Sequence, residues 1–403
     1  MNIIMNIINP FNYYYTRVDS SSSGSEYNNN NDIALEKRGF ENIKNNVQRE
    51  WYHRVINVVS IMFIIAVLIV MMGAPWLMAP CSHDMRTAHH HMNGEAINTI
   101  AFGSCANGMH SIPIFDDIQA DVMVFLGDNI YADTQILYYM HWMYNRLSCK
   151  PEFKSLMKRI RYVLAIWDDH DYGQDNGGAD YPAKYESQSI FLDFFRIPSH
   201  SERRREGGGV YGSYKFKVRG SADQTITIIL PDLRFFREPL KFCENGEYYP
   251  REYCFCPANR SMLGKTQWIW LDDIVNKSQS EDALTIIGSS TQFGHSANGY
   301  ESWTNFPLDR ARLKNLLDPS KSLIISGDVH WGEISVFDGL IDATSSGFTE
   351  IDPNIMSNTN RIGNTMTQQN YGLINLKDKT VSIYGLGGKL LSIKWGEHYH
   401  HIN

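Results

Sequence analysis

RYVLAIWDDHDYGQDN, residues 161–176, sets an apolar run of strand length against four aspartates and a histidine within ten positions. A short apolar run bounded by turn residues reads as a buried strand. Asp168, Asp169, His170 and Asp171 stand at its end. Carboxylates crowded there are costly to bury unless a cation neutralises them. A solvated loop would account for one such strand end, but not for what surrounds it.

Five further apolar runs of strand length occur from residue 97 onward: INTIAFG (97–103), VMVFLG (122–127), TITIIL (225–230), LTIIG (284–288) and LIISG (323–327). Helix-like spacing separates several of them, in AKYESQSIFLDFF (183–195) and GKTQWIWLDDIV (264–275). Strands alternating with helices predict an α/β fold. EISVFDG, YGLINL, VSIYGL and LLSIKW then follow without room for helices, which predicts an antiparallel, meander-like ending.

Each run is followed by polar groups: Cys105 and Asn107; Asp128, Tyr131 and Asp133; the 168–176 cluster; Asp232, Arg234 and Arg237; Gln292 and His295; Asp328 and His330. In open α/β sheets, ligands sit beyond the carboxyl ends of the strands. Taken singly, each residue has a plain explanation. An aspartate caps a helix or turn, a cysteine fills a core, and His295 reads as a loop histidine outside any site. Taken together, Asp128, Asp168, Asp169, Asp328 and His330 would repel one another at a shared edge. A pair of metal cations relieves that repulsion, since carboxylate and imidazole are their usual ligands. Two metals flanked by arginines suit phosphoryl transfer. The Gly of GDNIY and of GDVH reads as giving backbone close access to the ions.

Those motifs and their order resemble the PhoD-like alkaline phosphatases, within the calcineurin-like metallophosphoesterase superfamily. The resemblance runs from about residue 98 to about residue 390, through FGSCAN, GDNIY, WDDHDYGQDNGG, ESQSIFLDFF, DLRFFR, MLGKTQWIWL, SWTNFPLDRARL, SGDVHWGE and TSSG. It implies a four-layer α/β/β/α sandwich and hydrolysis of phosphoric esters by in-line attack of a metal-activated water. It implies iron with calcium as companion, Cys105 and Tyr131 as thiolate and phenolate ligands, and Asp128 as the bridging carboxylate. Asp328 and His330 match the late metal motif. Asp169 is the expected ligand of DDHD, with Asp168 the alternative, and Asn176 is a further candidate for calcium. His170 is the expected general acid and Arg234 the expected phosphate clamp. One departure is that SSTQF offers Gln292 where the superfamily carries a histidine motif. A catalytically degenerate, membrane-anchored binding module is the alternative reading.

The rest of the chain predicts where this domain resides. Residues 1–54 are low in complexity (SSSGS, NNNND) and read as a disordered cytosolic segment. Residues 55–80 contain no charged side chain and are long enough to span a bilayer. Lys37, Arg38, Lys44, Arg49 and Arg54 precede the run and only Arg86 closely follows it, so the positive-inside rule leaves the N-terminus in the cytosol. The expectation is a single-pass type II protein of the secretory pathway or cell surface. Residues 81–96 form its stem, 97–395 its metallophosphatase domain and 396–403 a tail. Of the six cysteines, two among Cys243, Cys254 and Cys256 are close enough in sequence to pair, Cys105 stays reduced as a ligand, and of the five others at least one is unpaired, with Cys81 and Cys149 the candidates; the pairing itself stays open. Sequons at Asn259 and Asn276 would be open to glycosylation in that compartment. A net charge of −7 and a pI near 6.1 give no electrostatic footprint for nucleic acid.

Overall fold

A computed structural model describes residues 45–46, 48–67, 81, 94–221, 223–242, 253–254, 259–295 and 301–396. The chain divides into two units, Met1–Leu77 and Met78–Asn403. The first contains helix α1 (Gln48–Val67), with no part of its apolar window buried inside the protein. Its 20 residues span about 30 Å, the thickness of a bilayer core. Helix already covers residues 48–54, ahead of the uncharged run, while 68–80 and most of the stem (82–93) lie outside the described residues.

The second unit is built on two sheets. In one, β2 (Thr99–Gly103), β3 (Val122–Leu126) and β4 (Tyr162–Ile166) run parallel. The sheet is completed by the antiparallel β14 (Asn370–Asn375), β15 (Thr380–Gly385) and β16 (Gly388–Lys394), in the order β16-β15-β14-β2-β3-β4. The other sheet contains β1 (Ala96–Ile97), β5 (Gly212–Val218), β6 (Thr225–Leu230), β9 (Leu284–Gly288), β10 (Ser322–Ser326), β11 (Gly332–Phe337), β12 (Leu340–Ser345) and β13 (Arg361–Met366). Its order is β1-β5-β6-β9-β10-β12-β11-β13, and β6, β9, β10 and β12 are parallel. A two-stranded ribbon, β7 (Lys241–Phe242) with β8 (Tyr253–Cys254), stands apart. The expected meander is therefore split: EISVFDG joins the second sheet, and the last three strands join the first.

Two-sided burial explains the apolar runs. In β6, Ile226, Ile228 and Leu230 face the core between the sheets, while Ile229 faces a separate outer core. The same alternation puts Ile286 and Ile325 inward and Ile287 and Ile324 outward. Strands buried on both faces lose the polar half of their period. Helices α7 (Gly264–Ser280) and α8 (Pro307–Leu316) close the outer core through Trp268, Leu271, Val275 and Leu313. Beside the other sheet, α2 (Ile114–Asp117), α3 (Leu137–Cys149), α4 (Pro151–Arg159) and α6 (Lys184–Phe194) pack through Phe115, Met143, Phe153 and Phe191 against Phe125 and its neighbours. The result is the four-layer α/β/β/α arrangement.

One expectation is overturned. Cys81 and Cys149, each read as a candidate free thiol, form a disulfide across 68 residues of chain. A disulfide needs proximity in space rather than in sequence, and the Cα atoms of this pair lie 5.2 Å apart; the pairing considered among Cys243, Cys254 and Cys256 lies outside the described residues. Closing a loop of that length stabilises the fold by about 4 kcal/mol on the chain-entropy account. Cys105 is the free cysteine among the described residues, whereas Cys243 and Cys256 lie outside them.

Candidate metal centre

The parallel strands of both sheets deliver their following residues to one edge. The turns there are abnormal: Cys105, Asp128, Asn176, Asp328 and His330 all adopt positive φ, between 47° and 81°. Such backbone costs an ordinary residue about 1 kcal/mol or more and persists only where surrounding structure fixes it. Gly127 and Gly327 serve this edge differently from the expectation. A Cβ on Gly127 would strike Asp168, and one on Gly327 would strike Ser104. The glycines let neighbouring strand ends approach each other, and the space is filled by protein rather than kept for an ion.

Asp128 lies at the centre. It shares ligand-atom groups with Cys105 and His330, with Asp169 and His170, and with Asp168, Asp169 and Asp328. The Cys105 thiol lies 3.6 Å from Asp128 Oδ2 and 3.1 Å from Ser346 Oγ. Tyr131 joins the same side, its hydroxyl 3.5 Å from Asp128 Oδ2 and 3.1 Å from His330 Nε2. The DDHD segment forms α5 (Asp169–Tyr172), capped by Asp168 in a capping box with Asp171. That short helix turns Asp168 and Asp169 into the site while Asp171 faces away, accepting from the backbone amides of Asp168 and Asn129.

Cations hold part of this charge. Arg234, buried, donates from Nε to Asp168 Oδ1 at 2.5 Å, lies 3.6 Å from Asp169 and pairs with Glu301. Arg237 pairs with the other oxygen of Glu301 at 3.2 Å. Ser290 Oγ also donates to Asp168, and Thr291 Oγ1 to Asp328. His170 binds both oxygens of Asp133 through Nδ1, at 2.8 and 2.9 Å, and its ring lies on Tyr131. Asn176 enters through its backbone, its amide donating to Asp169 Oδ2 while its side-chain amide turns to Asp175.

These partners do not suffice. Asp128 Oδ1, Asp168 Oδ2 and Asp169 Oδ1 are buried with no hydrogen-bond partner among the described residues. A buried carboxylate oxygen without a donor is costly. Burial accordingly raises the pKa of Asp128 and Asp328 well above the carboxylate range. Burial also raises Asp168, to about 6, whereas at Asp169 the charges of Arg234 and His170 outweigh burial and hold it near 2. Burial pushes the Cys105 thiol up to about 12 and lowers His330. For His170 burial is overcome by Asp128 and Asp133, which lift it to about 11 and keep the ring cationic. Bare carboxylate oxygens, a thiol, a phenol and an imidazole around one centre fit a pair of metal ions, which would favour the deprotonated ligands.

Every sequence-predicted site residue therefore comes to this edge. Gln292 does not stand in for a metal-site histidine: it donates to Glu333 and Thr344 in a separate polar network. Glu301, Asp133 and Ser346 were given no role from sequence. Asp133 stood among the polar groups after the second apolar run, Ser346 within TSSG, and Glu301 directly ahead of SWTNFPLDRARL.

No protein-family model matches the chain, and no characterised relative matches it in sequence. Solved structures do. The structure of PhoD superimposes with a TM-score of 0.54 at 16% identity, over 76% of this chain and 67% of that one. GAP50, described as the anchor in the inner membrane complex of Plasmodium, gives 0.45 at 12%, over 75% and 89%. A dimetal phosphatase from Danio rerio gives 0.43 at 11%, over 75% and 100%. The latter two are too distant to bear on function. The chain shares the fold of PhoD, with its acidic cluster at the edge where its own parallel strands converge.

Proposed function

We propose that this protein is a metal-dependent phosphoric ester hydrolase of the alkaline phosphatase or phosphodiesterase type. The observation that carries the reading is the pair of buried, donor-less oxygens on Asp128 and Asp168, beside an Asp169 oxygen whose one cationic neighbour is Arg234 at 3.6 Å. Cys105, Tyr131, Asp128, Asp328 and His330 would hold the metals with Asp169, Asp168 and Asn176, and the thiol and phenol favour iron on one side, with calcium the candidate on the other. Bound there, the ions supply a water acidified for in-line attack on phosphorus. His170, its Nδ1 committed to Asp133, keeps Nε2 for protonating the leaving oxygen. Arg234 orients Asp168 and Asp169, and it reaches a substrate phosphate where Glu301 gives way.

The same proposal places the protein in a membrane. Helix α1 is long and apolar enough to span one. The Cys81–Cys149 disulfide belongs in an oxidising compartment. Together with the basic residues ahead of the run, they support a type II anchor with the hydrolase domain in the lumen or outside the cell.

The test is release of p-nitrophenol from mono- and bis-(p-nitrophenyl) phosphate by the full chain, before and after chelation, with metals quantified. Chelator-sensitive turnover is expected, and the two rates assign monoester or diester preference. Folded, metal-loaded protein without turnover would replace the hydrolase by the binding-module reading.

A further inference from the structure

Helix α3 has two faces, and only one is accounted for by the fold. Met140, Met143, Tyr144 and Leu147 recur at helical spacing and are buried in the core. The opposite face is also apolar, yet exposed. Ile136, just before the helix, is 67% exposed, Tyr138 54% and Tyr139 42%. Trp142 is half-buried, packing one side on the core, while Tyr139 stacks on it and Arg146 lies over its ring. The helix carries no acidic residue, and Lys150 follows it. Large exposed apolar faces mark interaction surfaces.

The disulfide says what this face meets. Residues 139, 142, 146 and 149 fall on one stripe of the helix, so Cys149 shares the stripe with Tyr139, Trp142 and Arg146. Cys81 is bonded to Cys149, and its backbone amide donates to Asn145 Oδ1 at 3.0 Å. Cys81 is also the first residue after the uncharged run 55–80. The chain thus leaves the run at the C-terminal end of the aromatic stripe. Tyr and Trp with flanking basic residues are the side chains enriched at the headgroup level of bilayers.

We propose that the outer face of α3 is a membrane-docking surface, its Tyr139–Trp142–Arg146 stripe lying in the headgroup layer of the bilayer. This rests on the anchored reading above. At 13 residues, α3 covers about 20 Å of the surface. Its N-terminus begins four residues after Asp133, the partner of His170, so docking orients the metal-centre edge with respect to the lipid.

The experiment uses the full chain reconstituted in vesicles of phosphatidylcholine brominated at the shallow 6,7 positions of one acyl chain, in which lipid contact quenches tryptophan. Wild type is compared with Trp142→Phe, a substitution that keeps an aromatic ring. Trp51 and Trp76 belong to the α1 and apolar-run region and report anchoring independently. Trp142→Phe is expected to lower the share of tryptophan emission that the brominated lipid quenches, leaving the share that reports the anchor. Quenching that is retained in full by Trp142→Phe overturns the docking surface and leaves the anchor standing. No quenching in either protein, with the chain extracted by alkaline carbonate, overturns the anchor and the docking surface together.

Discussion

The second unit carries two clusters of buried acids, one within the second sheet and one at the edge that both sheets share, and they are built in opposite ways. Glu333 is fully buried, and both its oxygens are satisfied: Oε1 by Gln292, Asn358 and Ser335, Oε2 by Trp331 and Arg361. Asp342 accepts from the amides of Phe293 and Gly294 and from Ser326. At the metal-centre edge, Asp128 and Asp168 each keep a bare oxygen, one oxygen of Asp169 has Arg234 at 3.6 Å in place of a hydrogen bond, and Asp128 and Asp328 sit on left-handed backbone. Burial of an acid is therefore no sign of a metal by itself. The sign is a buried acid that the protein leaves incomplete.

That contrast can be broken by substitution. Asp128→Asn should lower kcat by about a thousandfold and reduce bound metal, while leaving the metal-free protein as stable as wild type or more so. A metal-free variant that melts well below metal-free wild type would make Asp128 a structural acid like Glu333. Glu333→Ala should do the reverse, destabilising the fold by about 3 kcal/mol as Arg361 and its companions lose their acceptor, with metal content per folded chain unchanged. Loss of metal from a stable Glu333→Ala protein would merge the two clusters.

A smaller effect sharpens the comparison through pH. Burial raises Asp342 from 3.8 to about 6, against its three donors. With the folded pKa above the unfolded one, its contribution is fullest below about pH 4 and is lost as pH rises through 6. Asp342→Asn should remove that slope and add about 2 kcal/mol at pH 8, read from urea midpoints across pH. An unchanged slope would deny Asp342 this role. Smallest is Glu301→Gln, which weakens the hold on Arg234 and Arg237 and should lower KM for p-nitrophenyl phosphate about threefold at constant kcat. An unchanged KM would confine Arg234 to supporting Asp168.

What the sequence made legible follows from this physics. Strands buried on both sides write themselves as unbroken apolar runs, and the residues after TITIIL or LIISG inherit the shared edge. The helices at 183–195 and 264–275 were equally plain, being long and amphipathic. Pairings across space left no local trace. Nothing near Cys81 or Cys149 marks them as partners, and Glu301, just ahead of SWTNFPLDRARL, carries no sign that it reaches Arg234. Gln292 looked like a defective ligand because sequence cannot show that its amide turns to Glu333. The glycines before Asp128 and Asp328 were recognised as special, but for an ion's sake. Their space belongs to the adjoining strand ends.

The Cys81–Cys149 bond also governs how the second unit could be cut from what precedes it. A protease that cut any peptide bond between residues 81 and 149 would leave the fragments covalently joined. Separating them at such a site takes two chemically different events, hydrolysis of the backbone and reduction of the disulfide. Proteolysis there alone would yield a nicked protein whose two pieces stay linked.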